Sequence, residues 1–421
     1  MHFVRRLFLF DDLVSLMRFS KGILFRFFYN EKVRSGFFQI ALLVFIVFGV
    51  FWIISNTITN LSNQGKSFGF GFLDQTAGFQ ISSTLGTWLM DYNVGSSTYF
   101  DVFLIGIINT FLVASLGIFA ATVIGFLLGI MRLSSNVILR GFSAVYVEVL
   151  RNVPLLLQLF FWYFAVLRSV PDRRSQIEII PGVAGLNITG LYLPAPIAGV
   201  GFEVVFYTFI AAIFGAFLFG RFAKKRQELT GNRLPAFWIG LAFVISVTAI
   251  AFVLKDQPLN WSYPVFKDSG PILRRGFQIG EGMTVVPEFI AVWLALSLYT
   301  AAFIAEIVRA GILAISKGQS EASYSLGLKP SITLRLVIIP QAMRVIIPPL
   351  TSQYLNLTKN SSLAVAIAYP ELVSIFAGTA LNQVGREIEM IAMMMAVYLS
   401  FSLVTAAFMN WFNAQAKLVE R

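Results

Sequence analysis

Cysteine is absent from all 421 residues, which excludes disulfide bridges and thiolate metal sites. The only histidine, His2, lies in a basic N-terminal tail, so imidazole catalysis and histidine ligation of a metal have nothing to build on. Charged residues make up 13% of the chain and hydrophobic residues 57%, a balance that rules out a soluble domain. No carboxylate pair, nucleophile–base arrangement or metal-ligand spacing stands out. A nucleotide fold is missing as well. Gly65-Lys66-Ser67 imitates the end of a phosphate-binding loop, but the position where that loop needs its first glycine is Asn60. Any ATP hydrolysis therefore belongs to a partner.

What the chain does have is long apolar runs. A helix needs roughly 20 apolar residues to cross a bilayer. Eight runs qualify as spans, at about 37–55, 103–131, 142–166, 197–219, 236–254, 289–312, 345–368 and 391–412. The first follows a basic segment, as in a signal peptide, but lacks a small-x-small cleavage site and reads as an uncleaved span. Arg5, Arg6, Arg18, Lys21, Arg26, Lys32 and Arg34 precede it among phenylalanines, a pattern suited to an anionic inner leaflet.

The formal charge of +11 tests this topology. With the N-terminus inside, 21 of the 32 basic residues fall on inner segments and 9 on outer ones, as the positive-inside tendency requires. Both termini and the segment after residue 312 are then cytoplasmic; dropping any one span would reverse the placement of that segment. Within the second span, Gly117, Ala121, Gly125 and Gly129 recur every four residues and predict a small-residue face for close helix approach.

Polar residues at membrane depth are costly, so each needs a partner, a wet cavity or an interface. Glu148 and Arg151, and likewise Glu306 and Arg309, are three apart and share a helix face, so each pair is expected to brace its own helix. The functional alternative is contact with the charged ends of a zwitterionic substrate. Asn109, Gln158, Gln353, Asn356 and Lys359 are the better candidates for a polar path, set against simple helix–helix hydrogen bonding.

The stretch 318–363 differs from everything around it. Ser320 is expected to cap a short helix with Glu321 in its first turn, Gly327 to stop it, Pro330 to begin a second, and Pro340 to end that one. Two such short helices do not hold together alone in water, so they must lie against something else. Ala322, Leu326 and Leu328 suit a helix pushed into a partner's groove.

Glu321-Ala322-Ser323, Gly327 and Ile338-Ile339-Pro340 resemble the EAA coupling loop of ABC-importer permeases, with Ser323 where an alanine is usual. Gln341-Ala342-Met343-Arg344 and Lys359-Asn360-Ser361-Ser362-Leu363 resemble the polar-amino-acid branch of that family. Gly106-Ile-Ile-Asn109-Thr110, Arg151-Asn152-Val-Pro154 through Tyr163, and Tyr299 through Arg309 look like the Q-type subunit of general L-amino-acid permeases.

The resemblance implies an all-α integral membrane protein of about eight transmembrane helices around a five-helix type I ABC-importer permease core. Its parts would be a basic cytoplasmic segment (1–36), an extra first span and loop (37–99), two portions of core (100–170 and 288–421), an insertion with two extra spans (171–287), and a coupling loop at 318–340. It implies a bacterial inner-membrane subunit that translocates L-amino acids, with Glu321, Ala322, Ser323, Gly327, Leu328 and Pro340 docking on an ATPase. The implied partners are a second homologous permease, two ATP-binding subunits holding ATP and Mg, and a periplasmic amino-acid-binding protein. A stand-alone ion-coupled transporter is the competing reading, and it leaves the coupling stretch unexplained.

Overall fold

The computed structural model describes residues 31–63, 69–232, 234–272, 275–278 and 280–416. The basic stretch before Glu31, His2, and the Gly65-Lys66-Ser67 mimic lie outside the described residues, as do Arg233, Arg274, Lys417 and Arg421. The chain divides into two units, 1–70 and 71–421. The described part of the first unit is one helix, α1 (Glu31–Asn63), with Gly69 and Phe70 beyond it. Its apolar stretch, 34–60, has no buried residue, so it is apolar all round, as a lipid-facing span is.

The second unit opens with a 3₁₀ turn (Gly71–Asp74), followed by a short helix, α2 (Leu85–Leu89), and then α3 (Tyr99–Met131). Thr98 caps α3 through a reciprocal bond with Asp101, which satisfies two otherwise orphaned N–H groups. Next come α4 (Val137–Asn152) and α5 (Leu155–Phe160), the latter continued by a π-helical turn to Leu167. The unbroken apolar run at 142–166 predicts one straight span here; the structure bends it by 106°. Pro154 is the cause. It lacks an N–H and forces Val153 into extended conformation, ψ 126°. The apolar run hides the break.

Helix dominates, as expected, but residues 177–285 add eight short strands. β1 (Ile177–Ile180), β2 (Ala184–Asn187), β3 (Gly190–Leu193) and β8 (Met283–Val285) make one antiparallel sheet in that order. β4 (Ala195–Ala198) pairs with β5 (Leu259–Ser262), and β6 (Phe266–Lys267) with β7 (Gly276–Phe277). Between β4 and β5 the chain leaves as a helical hairpin, α6 (Phe202–Thr230) and α7 (Ala236–Leu254), each apolar enough to span a membrane.

The remaining helices are α8 (Pro287–Leu313), α9 (Lys317–Ser325), α10 (Pro330–Thr333), α11 (Ile339–Asn360), α12 (Leu381–Val384) and α13 (Glu387–Ala416). A π-turn joins α10 to α11, and 3₁₀ and π segments lead from α11 to α12. Among the described residues, seven helical runs are long and apolar enough to cross a membrane, or eight if the bent α4–α5 pair counts as one.

The core forms where α3 meets α8. A Cβ on Gly125 would lie 2.6 Å from Ile304 Cβ, and one on Gly129 2.7 Å from Val308 Cβ, so only glycine permits this approach. Gly117 faces Leu357 of α11 and Ala121 is buried, so the whole four-residue repeat is used. Leu296, Ile304 and Val308 of α8 pack with Ile346, Ile347 and Leu357 of α11 in the same buried cluster. The apolar residues joined there supply the packing that tertiary helices depend on.

Candidate coupling surface and polar path

The coupling stretch begins one turn earlier than its sequence suggests. Ser316, not Ser320, is the N-cap; its hydroxyl accepts from the Gly318 N–H, which puts Glu321 in the middle of α9. The helix ends as expected at Gly327, with φ +75°. Gly327 N–H donates to Tyr324 O at 2.9 Å and Leu328 N–H to Ser323 O at 3.1 Å, the paired bonds that close a helix around a left-handed residue. Pro330 starts α10 at its first position.

Pro340 does not end the second helix. It sits in the first turn of α11, after the π-turn at 334–338, and the helical run continues from Pro330 to Ile367. Local loosening of the turn before it absorbs the missing N–H and the ring. The second arm of the coupling stretch is therefore the root of a membrane helix.

Around this bend apolar side chains stand exposed among Ser325, Lys329, Ser331 and Arg335. Leu326 is 81% exposed, and Tyr324, Ile332, Leu334 and Leu336 are exposed with it. Glu321 and Ala322 are exposed, Leu328 and Pro340 are half-buried, and Ser323 is buried with its hydroxyl donating to Gln319 O at 2.7 Å. The departure from alanine at 323 thus costs no unsatisfied group. Gln341 Nε2 donates to Gln319 Oε1 at 3.1 Å and ties α9 to the start of α11.

The five polar-path candidates divide. Asn109 is fully buried and fully engaged: Oδ1 accepts from Gly86 N–H at 3.0 Å, and Nδ2 donates to Thr84 Oγ1 and to Pro370 O. Gln158 is 6% exposed and mends the α4–α5 break, donating to the Leu150 and Val153 carbonyls that the bend frees, while its Oε1 is left without a partner. Gln353, Asn356 and Lys359 belong to α11. Asn356 and Lys359 lie on one exposed stripe with Val345, Pro348, Pro349 and Ser352, and Gln353 is half-buried. This stripe is polar over its last two turns, on a helix otherwise apolar enough to span.

The ion pairs are partly reassigned. Glu306 and Arg309 pair as expected, at 2.5 Å. Glu148 and Arg151 do not. Glu148 is bound by Arg132 at 3.2 Å, and the same guanidinium also pairs with Glu306. Arg151 lies instead over the Phe303 ring, 5.2 Å from its centre. Arg132 follows the end of α3 and reaches α4 and α8 together, whereas Arg151 stands in the last turn of α4 beside α8. Proximity in sequence loses to proximity in space.

A buried glutamate, Glu371, escapes sequence reasoning altogether. Glu371 is fully buried, between the spans that end at Ile367 and begin at Glu387. Its carboxylate accepts from Val373 N–H at 2.9 Å and Ser374 N–H at 2.8 Å, capping the helical segment that follows, and from Tyr398 Oη at 3.1 Å. Burial pushes its carboxyl up to about 7 despite these donors. The Pro370-Glu371 step between two apolar runs is the one signal that could have found it. The Leu372 N–H donates to Thr110 Oγ1 at 3.1 Å, so Asn109 and Thr110 clamp this turn onto α3.

The described chain is thus a set of membrane-length helices with a glycine-bent elbow at 317–340 that exposes apolar side chains. The model of the family "Binding-protein-dependent transport system inner membrane component" matches residues 229–417. The general L-amino acid transport system permease protein AapQ of Rhizobium johnstonii is 48% identical over 93% of this chain and 94% of its own length. The putative amino-acid ABC transporter permease YhdX of Escherichia coli is 48% identical over 94% and 97%. The glutamate/glutamine/aspartate/asparagine permease BztB of Rhodobacter capsulatus is 39% identical over 93% and 96%. The chain belongs to this family of ABC transport-system permeases, as a multi-pass inner-membrane subunit and not an enzyme.

Proposed function

We propose that this permease carries L-amino acids inward and is driven by two ATPase subunits that hold ATP and Mg and dock on the elbow at 317–340. The single observation that carries the coupling assignment is the set of exposed apolar side chains around Gly327, continuous in chain with the α11 membrane helix. Glu321, Ala322, Gly327 and Leu328 form the contact, Ser323 holds α9 in shape, and Pro340 passes the motion into α11. ATPase closure tilts α9, and α11 moves as its lever. The substrate class follows from the names of the relatives.

The substrate path runs along the Ser352–Asn356–Lys359 stripe, facing a second permease, with Gln353 at its edge; Asn109 and Gln158 support the path from behind by holding the turn at 370 and the α4–α5 bend. Glu306 with Arg309, and Glu148 through Arg132, brace the helix ends near the elbow, as does Arg151 on Phe303. A binding protein delivers substrate on the opposite side. The basic-residue asymmetry supports cytoplasmic termini and a cytoplasmic elbow. Residues 171–287 are an added module on the opposite face, and α1 is an added span.

Gly327→Trp tests the coupling assignment. A Cβ there meets nothing within 4 Å, so the fold survives apart from the backbone cost at positive φ. ATP-dependent uptake by the reconstituted complex should be abolished and ATPase co-purification lost. Full uptake by the variant would remove the assignment. Lys329→Cys tests the orientation: labelling of its thiol by a membrane-impermeant reagent from outside intact cells would remove it.

A further inference from the structure

A cavity of about 700 Å³ opens where the strands of 177–285 meet α2, α3 and α8. It lies at the N-terminal end of α8 and so at the opposite end of that helix from the coupling elbow. Its volume falls in the range of sites that enclose a ligand well above solvent size. Leu112 and Leu116 of α3 form part of its wall, with Trp88 and Phe289. Leu116 is exposed, on a helix long and apolar enough to span the bilayer, and Trp88 is exposed beside it. One side of the cavity is therefore an exposed apolar face of a membrane-length helix, and the exposed Trp88 lines it as well.

Three polar groups of this cavity are left short of partners. Arg173 and Glu281 both line it and both are exposed, yet neither forms an ion pair with the other or with any described residue. Glu281 receives only a long bond from Ser262 Oγ, at 3.4 Å. Tyr369 also lines the cavity; its side chain is 1% exposed, and its hydroxyl is buried with no hydrogen-bond partner. A buried hydroxyl without an acceptor is costly, and two opposite charges held apart on one rim invite a ligand with both signs.

We propose that this cavity binds a membrane phospholipid with a zwitterionic headgroup. An acyl chain lies along Leu112, Leu116 and Phe289, the phosphate pairs with Arg173 and the ammonium with Glu281. An ester carbonyl accepts from Tyr369. A free amino acid would match the two charges but leave most of the apolar wall wet, and it would not explain why the wall continues onto an exposed apolar face of α3. The lipid would join the strand module to the helices that move, which gives the module a role in holding the outer end of α8.

Native mass spectrometry of the full chain, delipidated in detergent and offered lipids singly, tests this. Phosphatidylethanolamine should be retained at one molecule per chain and in preference to phosphatidylglycerol, which lacks the ammonium. Glu281→Gln should erase that preference. Arg173→Gln should weaken both lipids about fivefold, the worth of one basic contact at a membrane surface. Leu116→Trp, at an exposed position that tolerates bulk, should reduce retention of both with the elution profile of the chain unchanged. Equal retention in wild type and Leu116→Trp would overturn the proposal, as would no stoichiometric lipid. Displacement of the lipid by inorganic phosphate or by leucine would also overturn it, showing an anion or amino-acid site.

Discussion

The α3–α8 seam and the α6–α7 hairpin are built from similarly apolar helices and behave in opposite ways. In α8, 56% of the most apolar window is buried; in α6 and α7 the shares are 11% and 6%, although both have more apolar windows than α8. Apolarity puts a helix in the membrane but does not choose its neighbours, because lipid is as apolar as leucine. The seam is chosen by close approach, Gly125 and Gly129 letting Ile304 and Val308 reach the backbone of α3. The same core also holds buried polar clamps at Asn109, Thr110 and Glu371, which fasten the turn at 370 to α3 and α13 rather than to α8. The hairpin has milder versions of the first and, among the described residues, none of the second: a Cβ on Gly240 would meet Ala216 Cβ at 3.3 Å, and one on Gly220 meets nothing within 4 Å.

The largest expected effect concerns the clamp at Glu371. Its folded-state value near 7 lies above the ordinary 4.5, so the folded chain keeps a proton that the unfolded chain releases. Stability should therefore be highest below about pH 4.5 with respect to this group and fall as pH rises through 7, by about 3 kcal/mol at most. Glu371→Gln should flatten that window in thermal unfolding of the detergent-purified chain. An unchanged pH profile would show that the carboxylate is stabilised by more than its three donors.

Next in size is the glycine contrast itself. Gly125→Ala should cost about 1–3 kcal/mol, since backbone and a β-branched side chain must both yield. Gly220→Ala, in open surroundings, should be neutral or stabilise by up to about 1 kcal/mol through helix propensity. Equal effects at the two positions would mean that α3 and α8 are not in the intimate contact described. A smaller effect separates the two partners of Arg132. Arg132→Ala leaves the half-buried Glu306 with Arg309 alone and should cost about 1–2 kcal/mol. Glu148→Ala, at a carboxylate 61% exposed, should cost no more than about 0.5 kcal/mol. A double-mutant cycle reads the coupling directly.

Much of this is legible in the sequence, and the failures have physical causes. Spans follow from apolar length, and the four-residue glycine repeat announces the seam. Gly327 and Pro330 fix their own backbone geometry, so the bend between α9 and α10 follows from them, whereas the start of α9 at Ser316 does not. The α4–α5 bend stays hidden because Pro154 interrupts hydrogen bonding without interrupting apolarity. Pro340 misleads for the opposite reason, since a π-turn lets a proline stay inside a helical run. Strands of two to four residues carry too little alternation to register. Arg132 outcompetes Arg151 for Glu148 through tertiary approach alone, which no spacing along one helix encodes. The asparagine and glutamine candidates are visible as polar residues, but whether each faces a neighbour or an open stripe depends on helix rotation.

The sharpest way to break the comparison is to remove one side of it. The hairpin leaves and rejoins the chain at a closed base: β4 pairs with β5 from Ala195↔Ser262 to Ala198↔Leu259, and Gly199 N–H donates to Pro258 O at 3.0 Å. Residues 200–257 can thus be replaced by an Asn-Gly turn without stretching either strand. If the hairpin only packs on itself, the shortened chain should unfold within about 0.5 kcal/mol of the full one, a change of at most a few degrees. Reconstituted uptake then reports something separate. Unchanged stability with lost uptake would make the hairpin a contact for another subunit, because nothing inside the chain would have been disturbed. Lost stability would mean that α6 and α7 support the sheets from the membrane side, and the division into a packed seam and a free hairpin would have to be given up.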